Sequence, residues 1–201
     1  MNLTAIRDPE EIVTRHFGES LFAARHLFPV TAHVGTAALG RRAKQSPAEQ
    51  SSAAPAVRHS ALQTTSSRLA DLGSGAGFPG LPIKLWAPHI SLTLIESNHK
   101  KATFLREVTR ALTLTDVDIQ NAPAETLPGS CFDLVALRAV ERLSDVLPIA
   151  ASLLQPAGRL ALLVSSSQQP AIHAALPAFT WMPLIPIPLS SSRILLAGQA
   201  T

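Results

Sequence analysis

The sequence predicts an α/β protein with a mostly parallel sheet and helices on both faces. From residue 68 onward, short apolar segments such as "RLADLG" alternate with amphipathic segments such as "HKKATFLREVTRALT". Strands that alternate with helices along a chain form parallel sheets. The densest glycine cluster, "DLGSGAGFPG" at 71–80, lies between the first of these strands and the next helix. This position is where open α/β sheets bind ligands.

The first predicted element is a helix over residues 8–27. Asp8 can cap its N-terminus, Pro9 suits the first helical position, and Glu11 completes an Asp-x-x-Glu capping box. Residues at helical spacing predict one apolar face. That face is expected to consist of Ile12, Val13, Phe17, Leu21, Ala24 and Leu27.

The remaining elements lie between residue 68 and the end of the chain. Five segments predict parallel strands: "RLADLG", "SLTLIES", "VDIQN", "FDLVALRAV" and "GRLALLVSS". The segments between them predict helices: "PGLPIKLWA", "HKKATFLREVTRALT" and "LSDVLPIAASLL", with a short one near 169–176. The C-terminal segment "FTWMPLIPIPLSSSRILLAGQ" predicts two strands, whose prolines suit edges rather than a central position.

Composition divides the chain into three segments. We expect an N-terminal helical segment at 1–39, a flexible low-complexity loop at 40–67 rich in Ser, Ala, Gln and Pro, and a core at 68–201. The single cysteine, Cys131, excludes a disulfide framework and disfavours a metal site. The sequence has no membrane-spanning apolar run and no signal peptide at its start, which predicts a cytoplasmic protein. A net charge of +3 is compatible with an RNA partner.

The glycine cluster is not a phosphate loop. Gly75 and Gly80 have the spacing of that motif, but Leu81 and Pro82 stand where a lysine and a Ser/Thr are required. A dinucleotide fingerprint matches formally at Gly75, Gly77 and Gly80, but such a match alone is weak. An NAD-dependent dehydrogenase is further disfavoured because the chain contains no tyrosine.

Asp71 stands two residues before the first glycine, so the cluster resembles the D-x-G-x-G-x-G pattern of S-adenosylmethionine (SAM) methyltransferases. Gly73, Gly75 and Gly77 would let the backbone approach the cofactor without Cβ collisions. Glu96 ends the next predicted strand. A carboxylate there can accept hydrogen bonds from both ribose hydroxyls.

The residues at the end of the fourth strand constrain the methyl acceptor. "LRAV" at 137–140 does not resemble the Asn/Asp-Pro-Pro-aromatic turn of enzymes that methylate amines of nucleic acids. Cys131 begins that strand, at the wrong end to serve as the nucleophile of a carbon-5 methyltransferase. Guanine N7 carries an available lone pair, so its methylation needs no general base and depends on proximity and orientation. A small-molecule acceptor remains an alternative.

Several motifs together resemble the RsmG/GidB family, the guanine-N7 methyltransferases of 16S ribosomal RNA. These are "NLTAIRDPEEIVTRHFGES", "DLGSGAGFPGLPIKL", "LIESNHKKATFLREV", "AE" and "FDLVALRAV". The resemblance implies a Rossmann-like, mostly parallel seven-stranded sheet, SAM as cofactor, and ribosomal RNA or the small subunit as partner of a monomer. It also implies that SAM is contacted or enclosed by Gly73, Phe78, Ala124, Glu125 and Arg138, with Glu96 at the ribose.

Two residues of this pattern have alternative interpretations. Arg138 is expected to position guanine or the methionine carboxylate, or else to form a surface ion pair, for instance with Glu141. His16, in the first helix, either faces the cofactor or is a buried structural histidine, and the second interpretation is favoured.

The chain also departs from the family pattern. The family usually carries an additional helical layer before "NLT", and here either the true start lies upstream of Met1 or that layer is absent. Val164 stands where a lysine often follows the fifth strand, and the 40–67 insertion is unusual. These differences motivate an alternative, a degenerate relative that binds SAM or RNA without catalysis. The favoured prediction is a SAM-dependent guanine-N7 methyltransferase of 16S ribosomal RNA.

Overall fold

The structure, a computed structural model, describes residues 8–29, 67–139 and 142–201. The expectations for 40–66 and for Glu141 lie outside these residues. The N-terminal helical segment comprises α1 (Pro9–Glu11), a π-helical segment (Ile12–Gly18) and α2 (Glu19–Leu27). The other helices are α3 (Gly80–Trp86), α4 (His99–Ala111), α5 (Leu143–Leu153) and α6 (Gln169–Ala175). The strands are β1 (Arg68–Leu72), β2 (Ser91–Ile95), β3 (Val117–Gln120), β4 (Phe132–Arg138), β5 (Leu154–Ser165), β6 (Phe179–Trp181), β7 (Ile185–Pro186) and β8 (Arg193–Ala200).

The strands form one mixed sheet in the order β3-β2-β1-β4-β5-β8-β6, and the two-residue β7 pairs with β8. Strands β1 to β5 are parallel, whereas β8 runs antiparallel to β5. The predicted seven-stranded, mostly parallel sheet is confirmed along this path, and β7 adds a short eighth strand. The strand order reverses between β1 and β4, which makes their carboxyl ends the topological switch point.

Helices cover both faces of the sheet, as predicted. On one face, Ala23 of α2, Ile83 of α3 and Leu105 of α4 pack against alternate strand residues such as Leu69. On the other face, helices α5 and α6 pack against the intervening strand residues. Successive side chains of a strand point to opposite faces. Apolar strands buried on both faces therefore give the continuous hydrophobic segments seen in the sequence.

The N-terminal helix forms where the sequence predicts it, but part of the expected apolar face is exposed. Asp8 caps the helix by accepting the backbone N–H of Glu11 at 2.9 Å. Val13, Phe17 and Leu21 are 60%, 40% and 38% exposed. A π-helix has more residues per turn than an α-helix, so the 3.6-residue spacing does not hold through Ile12–Gly18. Ala24 and Leu27 are buried as expected, and the other buried residues of this segment are His16, Glu19, Ser20 and Ala23.

The C-terminal segment contains three short strands where two were expected. Residues 182–184, which have no regular secondary structure, separate β6 from β7, and both strands pair with β8. Pro186 lies in the two-residue β7, in keeping with the expectation that prolines occupy edge positions. In the described residues, no helix is long and apolar enough to cross a membrane.

Candidate cofactor site and comparison with known proteins

The glycine loop leaves β1 at the switch point with a backbone that only glycine adopts easily. Gly73, Gly75 and Gly77 have φ angles of +72°, +56° and +92°, in the left-handed region. A Cβ at Gly75 would meet only the Gly73 carbonyl oxygen, at 3.8 Å. The loop is therefore open beside Gly75, and a ligand can approach its backbone there.

Gly77 and Gly80 serve packing instead. A Cβ at Gly77 would lie 2.3 Å from a Leu81 methyl group. A Cβ at Gly80 would lie 2.7 Å from Asp71 Oδ2 and from a methyl group of Leu94. These two glycines allow α3 to pack closely on β1 and β2. The expected contact between Gly77 and the cofactor stays a prediction. The structure shows instead that close packing against Leu81 requires a glycine at position 77.

Asp71 anchors the start of α3 from inside the core. It is fully buried, and its Oδ2 accepts the Gly80 N–H at 3.0 Å. Burial raises the pKa of Asp71 to about 7, although the Gly80 hydrogen bond and the Arg138 charge oppose the rise. Its Oδ1 has no hydrogen-bond partner among the described residues.

Glu96 connects the end of β2 to the glycine loop. Its Oε2 accepts the Gly75 N–H at 2.9 Å and its Oε1 accepts the Asn98 N–H at 2.8 Å. Asn121, directly after β3, donates to the Glu96 carbonyl oxygen at 2.9 Å. The acid is thus held in place by its neighbours and is 7% exposed. Each carboxylate oxygen has a further lone pair for a ligand hydroxyl.

A cavity of about 590 Å³ lies at the carboxyl ends of β1, β2 and β3. It brings together four of the predicted cofactor residues, which are Gly73, Glu96, Ala124 and Glu125. Ala124 and Glu125 belong to a single 3₁₀ turn after β3. The opposite wall comes from the start of α5 and includes Arg142, Asp145 and Ile149.

Sequence reasoning missed this α5 wall. Arg142 and Asp145 are exposed and pair with each other at 3.8 Å. A signal was present, because the helix predicted at "LSDVLPIAASLL" begins shortly after the fourth strand and so starts at the ligand edge of the sheet. Asn121 was also missed, although a polar residue that directly follows a buried strand is a signal of the same kind.

Phe78 does not line this cavity and packs against the N-terminal helix. Its ring stacks on His16 with centroids 5.1 Å apart and meets the edge of Phe17 at 4.8 Å. His16 is buried, and burial together with the Arg138 charge lowers its pKa. This agrees with the favoured interpretation of His16 as a structural histidine. The expectation that Phe78 closes a SAM pocket stays a prediction.

Arg138, the last residue of β4, also lies outside the large cavity. Its Nε donates to Glu19 Oε2 at 3.1 Å and its Nη2 donates to the Arg15 carbonyl oxygen at 2.9 Å. Arg193 Nη2 reaches the same Glu19 oxygen at 3.3 Å and donates to the Leu163 carbonyl oxygen at 2.8 Å. Glu19 is therefore shared by two arginines. We call Glu19, Arg138 and Arg193 the arginine cluster.

The position near the end of β5 where the family often has a lysine is occupied by the buried Val164. In the register of β5 and β8, Ser165 lies opposite Arg193. Because β8 is antiparallel, its first residue lies at the carboxyl edge of the parallel strands. Arg193 therefore places a cation near the end of β5, which sequence reasoning missed because the residue follows a serine-rich segment late in the chain.

Solved structures share this fold. A predicted O-methyltransferase from Agrobacterium tumefaciens superposes with a TM-score of 0.58 at 23% identity, covering 66% of this chain and 73% of that one. P. horikoshii TYW2 in complex with MeSAdo superposes with a TM-score of 0.57 at 16% identity, covering 67% of this chain and 56% of that one. The fold is that of the SAM-dependent methyltransferases.

Sequence relatives identify the family of the chain, whereas the solved structures identify only its fold. A family model described as GidB, rRNA small subunit methyltransferase G, matches residues 54–182. Ribosomal RNA small subunit methyltransferase G of Xylella fastidiosa (strain M23) is 35% identical over 160 residues, 79% of this chain and 58% of the relative. The protein of the same name from Xanthomonas campestris pv. campestris (strain B100) is 33% identical over 178 residues, which cover 88% of this chain and 66% of the relative. The chain belongs to this family, and it spans less than two thirds of the length of these relatives.

Proposed function

We propose that this protein transfers a methyl group from SAM to N7 of a guanine in 16S ribosomal RNA. The observation that carries the proposal is the cavity at the carboxyl ends of β1, β2 and β3. It gathers Gly73, Glu96, Ala124 and Glu125 in a chain of the small subunit methyltransferase G family. A ribosomal RNA substrate favours a cytoplasmic location, and we expect the enzyme to act as a monomer.

The residues present fit SAM. The Glu96 carboxylate holds the Gly75 N–H and still offers lone pairs to both hydroxyls of a ribose. The 3₁₀ turn at Ala124 and Glu125 borders the same cavity, where it can contact the adenine. When bound, SAM supplies a methyl group on a positively charged sulfur. The open backbone beside Gly75 leaves room for the cofactor's approach.

The arrangement suits an acceptor that needs no deprotonation. Cys131 precedes β4, at the edge of the sheet opposite the glycine loop, so it is not positioned as a nucleophile. Guanine N7 is a hydrogen-bond acceptor with a free lone pair. The protein then has to align donor and acceptor, and such positioning can supply about 7–11 kcal/mol of a reaction barrier. Arg138, at the end of β4, remains our candidate for positioning guanine or the methionine carboxylate.

The decisive experiment incubates the purified chain with methyl-labelled SAM and small ribosomal subunits from bacteria that lack the family enzyme. We expect one labelled guanine, identified as N7-methylguanine by nuclease digestion and mass spectrometry. Subunits from bacteria that possess the enzyme are the control, because their site is already methylated. Binding of SAM without transfer would instead support the degenerate relative, and transfer to free metabolites alone would support a small-molecule enzyme.

A further inference from the structure

A second cavity, of about 400 Å³, opens beside the arginine cluster. Its lining includes Arg15 from the π-helical segment, Arg193 at the start of β8, and Ser190, Ser191 and Ser192 from the preceding loop. It does not share residues with the cofactor cavity. We call it the serine-arginine cavity.

The charge of this cavity is positive. Glu19 contributes one carboxylate to the lining, and that group is shared between Arg138 and Arg193 at 3.1 and 3.3 Å. Arg15 adds a further cation. Its ion pair with Glu11 is 3.9 Å long, and both side chains are more than half exposed. Exposed ion pairs of this kind contribute little to stability, so Arg15 can release Glu11 and bind another anion at a small cost in free energy.

The polar groups suit a phosphate. A guanidinium presents five N–H donors in a planar fork that matches phosphate oxygens. In the described part of the chain, the Arg193 side chain donates hydrogen bonds to Glu19 Oε2 and to the Leu163 carbonyl oxygen, and both bonds come from Nη2. Serine hydroxyls and arginines are among the groups that contact the phosphate backbone of nucleic acids.

The location suits the RNA rather than the cofactor. The cofactor cavity lies on the β1–β3 side of the switch point, and the serine-arginine cavity lies on the β5–β8 side of the same edge. Arg138 ends β4 between them. We infer that the serine-arginine cavity binds a backbone phosphate of the RNA strand that carries the target guanine. This inference rests on the proposed function, because it presupposes an RNA acceptor.

The test compares Arg15→Ala with Arg25→Ala, which removes an exposed arginine from the same N-terminal helix outside the cavity. Binding of a 16S ribosomal RNA fragment is measured over a range of salt concentrations. Loss of one phosphate contact should reduce the slope of log K against log salt by about 0.7–0.9. We expect this for Arg15→Ala, with a several-fold higher KM for RNA and an unchanged kcat, whereas Arg25→Ala should behave like the wild type.

A second variant adds charge without removing a contact. Ser191→Asp places a carboxylate in the cavity lining and should weaken RNA binding at least as much as Arg15→Ala. SAM affinity should stay at the wild-type value in all three variants, because none of these residues lines the cofactor cavity. The melting temperature should also stay unchanged, because all three residues are exposed. An Arg15→Ala salt slope equal to that of Arg25→Ala, or normal RNA binding by Ser191→Asp, overturns the inference.

The two proposals fail in different ways. The salt dependence reports RNA binding alone and does not depend on methyl transfer. If the wild type binds RNA with the expected Arg15 contribution but transfers no methyl group, the proposed function is wrong and the phosphate site stands. If the wild type methylates RNA and Arg15→Ala keeps the wild-type slope, the proposed function stands and the phosphate site is wrong.

Discussion

The two sides of the β1–β4 switch point are built in different ways. On the cofactor side, the glycine loop, Glu96 and the Ala124–Glu125 turn each lie just after the end of a strand. On the other side, the arginine cluster joins Glu19 to Arg138, 119 residues away, and to Arg193, 174 residues away. The first site is assembled from local sequence patterns and the second from tertiary contacts. Buried charge holds the second together, whereas backbone conformation and close packing shape the first.

The largest effect is expected from removing the shared carboxylate of the arginine cluster. Glu19→Ala leaves two guanidinium groups without their buried counterion, and loss of one partner of a buried pair costs about 3–5 kcal/mol. The Glu19 and Arg138 side chains are 4% and 9% exposed. Urea denaturation monitored by circular dichroism would measure the loss in the free energy of unfolding.

The matched control is Glu107→Ala. Glu107 pairs with Arg110 at the same 3.1 Å distance, but those side chains are 62% and 77% exposed. An exposed pair contributes less than about 1 kcal/mol. Equal losses in the two variants would contradict the conclusion that burial distinguishes the arginine cluster from an ordinary surface pair.

This contrast also explains how much the sequence could predict. The strands from β1 to β5 and the helices between them are predictable from local periodicity, and Gly73 and Glu96 from glycines and acids beside strand ends. Ala124 and Glu125 were implied by the family resemblance, and the α5 wall of the cavity was missed. The Glu19–Arg138–Arg193 contacts could not be predicted, because no local signal relates residues so far apart. Periodicity also failed at Val13, where the π-helical segment shifts the buried face.

The second prediction separates packing from ligand access within the glycine loop. Gly77→Ala places a Cβ 2.3 Å from Leu81 at a φ of +92°. Overpacking costs about 1–3 kcal/mol, and a left-handed backbone adds about 1–2 kcal/mol. Gly75→Ala, with open space around its Cβ, should lose only the backbone contribution. Thermal unfolding would measure both, and a greater loss of stability in Gly75→Ala would show that the packing assignment is wrong.

The third prediction concerns Glu96 on the cofactor side. Glu96→Gln keeps the shape of the side chain but removes the charge that holds the Gly75 N–H. Hydrogen bonds to charged groups contribute about 1.5–3 kcal/mol, so SAM affinity should fall about 10- to 100-fold by isothermal titration calorimetry. Glu107→Gln is the control for an exposed glutamate and should bind SAM normally. Unchanged affinity in Glu96→Gln would remove Glu96 from the proposed ribose contact.

The last prediction is a pH dependence that connects the two sides of the switch point. Folding raises the pKa of Asp71 from 3.8 to about 7, mainly through burial. Between these values the folded protein holds a proton that the unfolded chain releases. The stabilisation from that proton is complete below pH 3.8 and is lost as the pH rises to about 7. The slope within this window is at most about 1.4 kcal/mol per pH unit.

Asp71→Asn should remove this slope, because an amide resembles the protonated acid and does not titrate. Urea denaturation at pH values below, within and above the range from 3.8 to about 7 would measure this slope. Asp118→Asn is the control for an exposed aspartate. The Arg138 charge lowers the Asp71 pKa, so Arg138→Ala should move the end of the window to higher pH. A window unchanged by Arg138→Ala would show that the arginine cluster and the glycine loop are electrostatically independent, despite their position on either side of the same switch point.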